Sequence, residues 1–155
     1  MVYGVVLVAH SWLRWLVLAL GLALLTLTLR GWRNAGDAWP RGIERLRKGF
    51  LAALDTQLLL GIALYALLSP LSRTGLSDLG AAMGDPVLRF YTIEHLVGMV
   101  TAVTVAHVGS RLAVRADRPN RCRALVATQA LWLLITLASI PWPGLPYGRP
   151  LLRIL

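Results

Sequence analysis

Four long apolar segments, separated by shorter polar connections, constrain the fold of this chain more than any other feature. They cover about residues 3–29, 50–68, 88–112 and 124–140. A helix needs roughly 20 apolar residues to cross the hydrocarbon layer of a bilayer. The fourth segment stops at IPWPGLP, where prolines cannot continue a helix. The sequence therefore predicts an all-α fold, an integral membrane four-helix up-down bundle that forms a single membrane domain over residues 1–155.

The composition supports a membrane protein. Only 15% of the 155 residues are charged, whereas soluble domains carry about 25%. The formal net charge is +9, but the basic residues form no stripe with interleaved aromatic residues, so we expect no nucleic acid partner. The single cysteine, Cys122, excludes an internal disulfide, a CxxCH haem attachment and a cysteine-based zinc site.

The distribution of basic residues predicts the orientation in the membrane. Residues 30–48 contain six Lys and Arg and residues 111–123 contain five, whereas the connection between the second and third segments contains two, offset by two aspartates. Because cytoplasmic loops carry an excess of Lys and Arg, we expect the first and third loops in the cytoplasm and both termini outside. The proline-rich tail, residues 141–155, is then expected to lie over the outer mouth of the bundle.

Two histidines lie at a matched depth. His10 lies seven residues into the first segment and His95 seven residues into the third, so both lie roughly 10 Å below the outer ends of their helices. These two helices run in the same direction. In an up-down bundle they are diagonal partners, and their inward faces look at each other across the core.

Small residues share the faces that carry these histidines. They include Gly21 on the first segment and Gly98 and Ala102 on the third. Such a recess suits a planar macrocycle with one imidazole on each side of its metal, and imidazole is a standard axial ligand of haem iron. We therefore expect one bis-histidine haem b, with His10 and His95 as metal ligands and the three small residues in contact with the cofactor. The alternative is that the small residues mark close helix packing and that the histidines bond to neighbouring helices.

Other metal sites are less well supplied with ligands. Zinc needs four protein ligands, or three and a water. Glu94 could join the two histidines only if it turned inward, because it lies about 100° from His95 around the helix. A second bis-histidine haem is excluded, since the chain contains three histidines.

Arg14 lies on the same face as His10, inside the first segment. An arginine there is costly and needs a partner, either Glu94 or a haem propionate, unless its side chain snorkels to the interface. In the tail, Arg149 and Arg153 are better placed for propionates that point outward. We include Arg14 and Arg149 among the candidate cofactor-binding residues, because a guanidinium matches a carboxylate in a bidentate geometry.

Asp55 and His107 form a second polar group. Each lies about five residues from the cytoplasmic end of its helix, and the two helices are antiparallel neighbours, so we expect the side chains to pair. A structural salt bridge or hydrogen bond would offset the free-energy cost of placing two ionisable side chains inside the membrane. The alternative role is a proton relay or a contact with a quinone ring near the inner leaflet.

Several motifs together resemble a family of small four-helix bacterial membrane proteins that are labelled cytochrome b-like. They are HSWLRWLVL (10–18), DTQLLLGIALY (55–65), EH and AHVG within 94–109, and IPWPGLPYGRP (140–150), so the resemblance spans nearly the whole chain. The resemblance implies a location in the bacterial inner (cytoplasmic) membrane. It also implies that His10, Arg14, Asp55, His95 and His107 recur together.

The leading functional prediction is an electron-transfer protein that holds one haem b near the outer face. Its partners would be membrane lipid, a quinol and an outer-face redox protein, either as a homo-oligomer or as a subunit of a respiratory complex. One alternative is a non-redox accessory or assembly subunit, which would tolerate loss of either histidine. Another is a small transporter or metal-handling protein, which would need a water-filled path between the outer and inner polar groups. The sequence contains no hydrolytic triad or phosphate loop.

Overall fold

The computed structural model describes residues 1–34 and 42–152, and within these residues the fold is all-α, as predicted. Four helical spans are long and apolar enough to cross a membrane: Val2–Arg33, Ile43–Leu68, Pro86–Arg115 and Asn120–Ala138. The prediction for Arg153 and part of the first basic loop, residues 35–41, lie outside the described residues. The four spans extend the predicted segments mainly at the ends next to the basic loops, where basic residues follow the apolar core of each helix.

The chain order of the helices is simple. Helix α1 is Val2–Asn34, and α2 is Ile43–Ala63. A π-helical turn, Leu64–Leu68, leads from α2 to three short helices, which are α3 (Pro70–Ser77), α4 (Leu79–Gly84) and α5 (Pro86–Arg89). A second π-helical turn, Phe90–Glu94, precedes α6, His95–Arg115, and α7 is Arg118–Ala138.

The four long helices form a ring in which α1 and α6 are diagonal. Helix α1 packs on α2 and α7, and α6 packs extensively on α7 and less closely on α2. The diagonal arrangement agrees with the up-down order that the sequence predicts. The side of the ring between α2 and α6 is therefore the least closely packed.

The core is centred on Trp132 of α7. Its ring is fully buried and meets Phe50 of α2 edge-on, with centroids 4.7 Å apart. Gly21 of α1 lies directly against the Trp132 ring, and a Cβ atom at this glycine would collide with it. The absence of a side chain at Gly21 therefore lets the large indole fill the centre of the bundle.

In the connection between α2 and α6, the sequence predicts one short surface helix, because Leu76, Leu79 and Met83 alternate with polar and small residues. The structure contains three short helices there. Each has a polar N-cap, Ser69, Asp78 or Asp85, whose side-chain oxygen accepts a main-chain N–H bond. Proline follows directly at Pro70 and Pro86. Polar caps and proline at the first helical position both favour helix starts, so these signals explain the two additional helices.

The tail folds back over the end of the bundle that carries the second connection. Tyr147 stacks on Phe90 with parallel rings 3.8 Å apart, and the Tyr91 hydroxyl donates a 2.8 Å hydrogen bond to the Tyr147 carbonyl. The main-chain N–H of Arg149 donates to the Pro141 carbonyl at 3.0 Å, which closes the tail into a loop. The described part of the tail therefore covers this end of the bundle.

Candidate functional site

His95 is the first residue of α6, directly after the second π-helical turn. Its Nδ1–H donates a 2.8 Å hydrogen bond to the main-chain carbonyl of Ser139, at the end of α7. This bond assigns the proton to Nδ1 and leaves the lone pair on Nε2, which is the arrangement typical of a metal-binding imidazole. The Nε2 atom accepts no hydrogen bond from the described residues. His95 is therefore oriented by the protein and carries a free nitrogen ligand.

His10 approaches His95 from α1, on the opposite side of the bundle. The Gln57 amide of α2 donates to the His10 carbonyl at 3.0 Å and lies 3.3 Å from the ring Nε2. The other ring nitrogen, Nδ1, is buried without a hydrogen-bond partner and faces Gly61. His10 therefore has one unsatisfied nitrogen, and its second nitrogen is held by a neutral amide.

The two imidazoles have the spacing of a shared metal. Their ring centroids are 6.5 Å apart and their planes are 74° apart. Two imidazole nitrogens that bind one metal at about 2 Å each place their ring centroids roughly 6 Å apart. A metal on Nε2 of His10 would displace the longer Gln57 contact and leave the amide on the His10 carbonyl. The centroid spacing is therefore compatible with a shared metal, whereas both ring nitrogens of His10 lie against α2, beside Gln57 and Gly61.

A cavity of about 170 Å³ surrounds the histidine pair. A single water needs only about 10–15 Å³ of such space, so an organic group fits. Ala102 lines the cavity together with apolar residues of α1, α2 and α6 that include Val17, Leu54 and Met99. The lining residues of the third span run from Tyr91 to Val103, which corresponds to roughly 18 Å along the helix. The cavity is therefore mostly apolar and bounded by both histidines.

The predicted small residues do not all lie in this cavity. The structure brings Ala102 into its wall, but Gly98 packs against the Ser139 side chain, and Gly21 packs against Trp132. At these two glycines the structure favours the packing interpretation, because an added Cβ atom would collide with a neighbouring helix. Gly98 still affects the site, since Ser139 is the residue that orients His95.

Arg14 lies at the mouth of the cavity. Its guanidinium donates a 2.8 Å bond to the carbonyl of Leu151 in the tail, and the indole N–H of Trp15 donates to the same carbonyl at 3.1 Å. The Nε atom of Arg14 is buried without a hydrogen-bond partner. No carboxylate of the described residues forms a salt bridge with Arg14. The cavity mouth thus holds one cation whose charge is not neutralised.

Arg149 adds a second positive charge at the same mouth. Its Nε–H donates to the Tyr91 hydroxyl at 3.0 Å, and its guanidinium lies 5.1 Å from the centroid of the Tyr91 ring. Among residues 1–34 and 42–152, Arg149 also forms no salt bridge with a carboxylate. Two arginines without acidic partners beside one apolar cavity suit an anionic group such as a carboxylate.

Glu94 turns away from this site. Its carboxylate accepts a 2.7 Å charged hydrogen bond from Nε of Arg89, and both side chains are about two-fifths exposed. The intervening π-helical turn, in which bonds join residues five apart, aligns these two positions. Glu94 is therefore neither the partner of Arg14 nor a third ligand beside His10 and His95. Within the described residues no group of three or more potential metal-binding side chains occurs.

Asp55 and His107 form the second polar group, as the helix arithmetic predicts. The distance between His107 Nε2 and Asp55 Oδ1 is 2.7 Å. The pair joins α2 to α6 on the side of the cavity nearer the basic loops and does not line it. Its two nearest cavity-lining neighbours along the chain are Leu54 and Val103.

Sequence reasoning missed the groups that orient the two histidines. The Ser139 carbonyl is a main-chain atom, which no side-chain pattern reveals. Gln57 was visible as a polar residue in an apolar segment, and it lies two positions after Asp55, so about 200° of rotation turns it toward α1. A polar residue on the α1-facing side of α2 was the available signal for a partner of His10.

Comparisons of the chain with protein-family models, with curated proteins and with solved structures found no match. The resemblance to cytochrome b-like membrane proteins therefore stays a prediction.

Proposed function

We propose that this protein is a membrane electron-transfer protein that holds one haem b between α1 and α6. The observation that carries the proposal is the pair His10 and His95, whose ring centroids lie 6.5 Å apart across an apolar cavity. In this proposal both histidines bind the haem iron, and Arg14 and Arg149 neutralise its propionates. Haem supplies a one-electron couple, and its potential depends on the axial ligands, their hydrogen bonds and burial.

The residues of this chain would tune such a couple in three ways. The Ser139 carbonyl accepts a hydrogen bond from the Nδ1–H of His95. Such a bond raises the basicity of the other ring nitrogen, Nε2, which would bind the metal. The apolar lining limits contact with water and lowers the local dielectric constant. The two arginines at the mouth offset the negative charge of the carboxylates, which makes their burial less costly.

The orientation and partners belong to the same proposal. The two basic loops hold six and five of the 16 Lys and Arg, and this concentration at one end of the bundle supports a cytoplasmic position for that end in a bacterial inner membrane. Both termini and the histidine cavity are then on the outer side. We propose a membrane quinol as the electron donor and an outer-face redox protein as the acceptor, because this end offers a short distance from the cavity to the outer aqueous phase.

An absorption spectrum tests the proposal. Protein purified in detergent after expression with ample haem is measured oxidised and dithionite-reduced. We expect a Soret band and the sharp α and β bands of six-coordinate haem b, lost in His10→Ala and in His95→Ala. His107→Gln is the matched control, since this histidine lies outside the cavity, and it should keep the spectrum. A folded wild-type protein with no Soret band would overturn the proposal.

One observation favours a structural role as the second candidate. Gln57 already contacts Nε2 of His10, and Ser139 already binds Nδ1 of His95, so each histidine has a partner from a neighbouring helix. An accessory or assembly subunit would need no more than this. In that case both alanine variants should keep the fold and the association with the larger complex, and the wild-type protein should be colourless.

A further inference from the structure

The Asp55–His107 pair lies on the side of the bundle where α2 and α6 pack least closely. We call the surface formed there by Asp55, Leu59, Val100 and His107 the α2–α6 groove. His107 is 37% exposed and Asp55 is 49% exposed. Ionisable residues inside membrane spans almost always face the bundle interior or a water-filled cavity. A pair with only a structural purpose would be cheaper if it were turned inward. The exposure of this pair therefore points to a polar group that meets it from the membrane side.

The pair leaves hydrogen-bonding capacity unused. The 2.7 Å bond uses His107 Nε2 and Asp55 Oδ1. Within the described part of the chain, His107 Nδ1 and Asp55 Oδ2 make no hydrogen bond. An imidazole nitrogen can donate or accept, and a carboxylate oxygen accepts. A ligand head with a carbonyl or a hydroxyl group can therefore bond to either side chain.

The depth of the pair excludes a charged lipid head as the natural occupant. Along α2, Asp55 lies seven residues beyond the exposed Lys48, which is about 10 Å. Along α6, His107 lies four residues before Arg111, which is about 6 Å. Basic residues of this kind mark the level of the phosphate groups. A neutral hydrogen-bonding head can lie below that level in hydrocarbon, whereas a phosphate or ammonium group pays a large desolvation cost there.

The walls around the pair are apolar on the side toward the membrane centre and closed on the cytoplasmic side. Leu59 and Val100 are exposed and lie one to two turns deeper than the pair. On the cytoplasmic side the Arg47 guanidinium bonds to Ser110 and ties α2 to α6. The groove therefore offers a polar contact at one end and an apolar surface for a ring and a chain at the other.

We propose that this groove binds the head group of a quinone or quinol, with His107 and Asp55 as its hydrogen-bonding partners. A quinone carbonyl accepts a bond from the imidazole, and a quinol hydroxyl donates to the carboxylate, while the isoprenoid chain lies along the exposed apolar residues. The cavity begins at Leu54 and Val103, within about one helical turn of the pair. The assignment of the ligand as an electron donor rests on the proposed function, but the binding site itself does not.

Photoaffinity labelling tests this site. The probe is a decyl-substituted benzoquinone that carries an azido group, added to the purified full-length protein in detergent. Both peptides that cover the pair, residues 51–59 and 100–108, also contain cavity-lining residues such as Leu54 and Val103, so the label is located residue by residue. We expect it on Asp55, Leu59, Val100 and His107. Asp55→Asn and His107→Gln should each weaken binding roughly tenfold, which corresponds to loss of one good hydrogen bond. Leu59→Trp, which fills the groove and keeps the pair, should also reduce labelling if the polar variants fold poorly.

Matched controls lie on the same two helices. Thr56→Val and Thr104→Val change exposed hydroxyls that bond to their own helix, through the Ala52 and Val100 carbonyls, and both should label like wild type. Labelling unchanged in Asp55→Asn, His107→Gln and Leu59→Trp, or confined to cavity residues, would overturn the proposal. Labelling of Asp55, Leu59, Val100 or His107 in a protein without a Soret band would support the quinone site, although the haem proposal would then be refuted.

Discussion

The Nδ1–H of His95 donates to the Ser139 carbonyl at 2.8 Å, and Gly98, one turn further along α6, packs against the Ser139 side chain. The direction of one histidine ring thus depends on how closely α6 approaches the end of α7. A small change in the contact between α6 and α7 therefore alters the orientation of the His95 ring, even when the changed residue does not contact that ring.

Gly98→Ala should therefore damage both the fold and the site. The added methyl group collides with Ser139, separates the two helices and lengthens the bond to His95. We expect a loss of about 1–3 kcal/mol in stability, as is usual for overpacking, and a lower haem-to-protein ratio. Gly49→Ala is the control, because a Cβ atom there meets nothing within 4 Å. Equal melting temperatures and equal haem ratios for the two variants would contradict this role of Gly98.

Gly21→Ala should affect the fold without a specific effect at the cavity. The new methyl group meets the fully buried Trp132 ring, which has no free space to enter. We expect a loss of about 1–3 kcal/mol in thermal unfolding in detergent. Trp132→Leu should partly restore stability in the double variant, since it removes the colliding ring. A double variant that is no more stable than Gly21→Ala alone would show that the collision is not the cause.

Gln57→Leu separates the two functional candidates. The variant removes the 3.0 Å bond to the His10 carbonyl and the contact with the His10 ring. If His10 binds iron, the haem band should survive, because the ring nitrogen no longer has a competing partner. If His10 is structural, the change should lower stability by about 1–3 kcal/mol, the usual penalty for a buried polar group that loses its partner. Titration of the apoprotein with haem and a melting curve distinguish these results.

Arg14→Gln should loosen the tail. This guanidinium donates to the Leu151 carbonyl, and a hydrogen bond from a charged group contributes about 1.5–3 kcal/mol. Trp15 still donates to the same carbonyl, so the tail should be loosened and not released. We expect chymotrypsin to cleave the variant within residues 142–152 about tenfold faster than it cleaves the wild type. Arg73→Gln is the control, since Arg73 bonds to Leu67 and not to the tail. Cleavage of both variants at the wild-type rate would mean that Arg14 does not hold the tail.

The parts of this fold that depend on apolar length were predictable from sequence. The four spans, the diagonal relation of α1 and α6 and the Asp55–His107 pair all follow from counting residues along helices. The counting treats every turn as α-helical, so it does not foresee the two π-helical turns or the Arg89–Glu94 pair that one of them aligns. It also cannot tell whether a glycine faces a cavity or a neighbouring side chain, which is why Gly21 and Gly98 lie in helix contacts.

The partners of the histidines were harder to predict for a related reason. Ser139 acts through its main chain, and its position depends on where α7 ends. Leu151 contributes a carbonyl oxygen from an irregular tail. Main-chain groups of irregular segments carry no residue-specific signal, whereas Gln57 carries one that sequence analysis can use.

The contact between Arg14 and Leu151 has a consequence for biosynthesis. His10 and Arg14 enter the membrane with the first helix, but the Ser139 carbonyl and the tail are made much later. Roughly fifty residues separate His95 from Leu151, and a ribosome needs several seconds for them at about 5–20 residues per second. During that interval α1, α2 and α6 can already associate while the mouth of their cavity is uncovered. A ligand can therefore enter a half-built bundle before the tail closes over it.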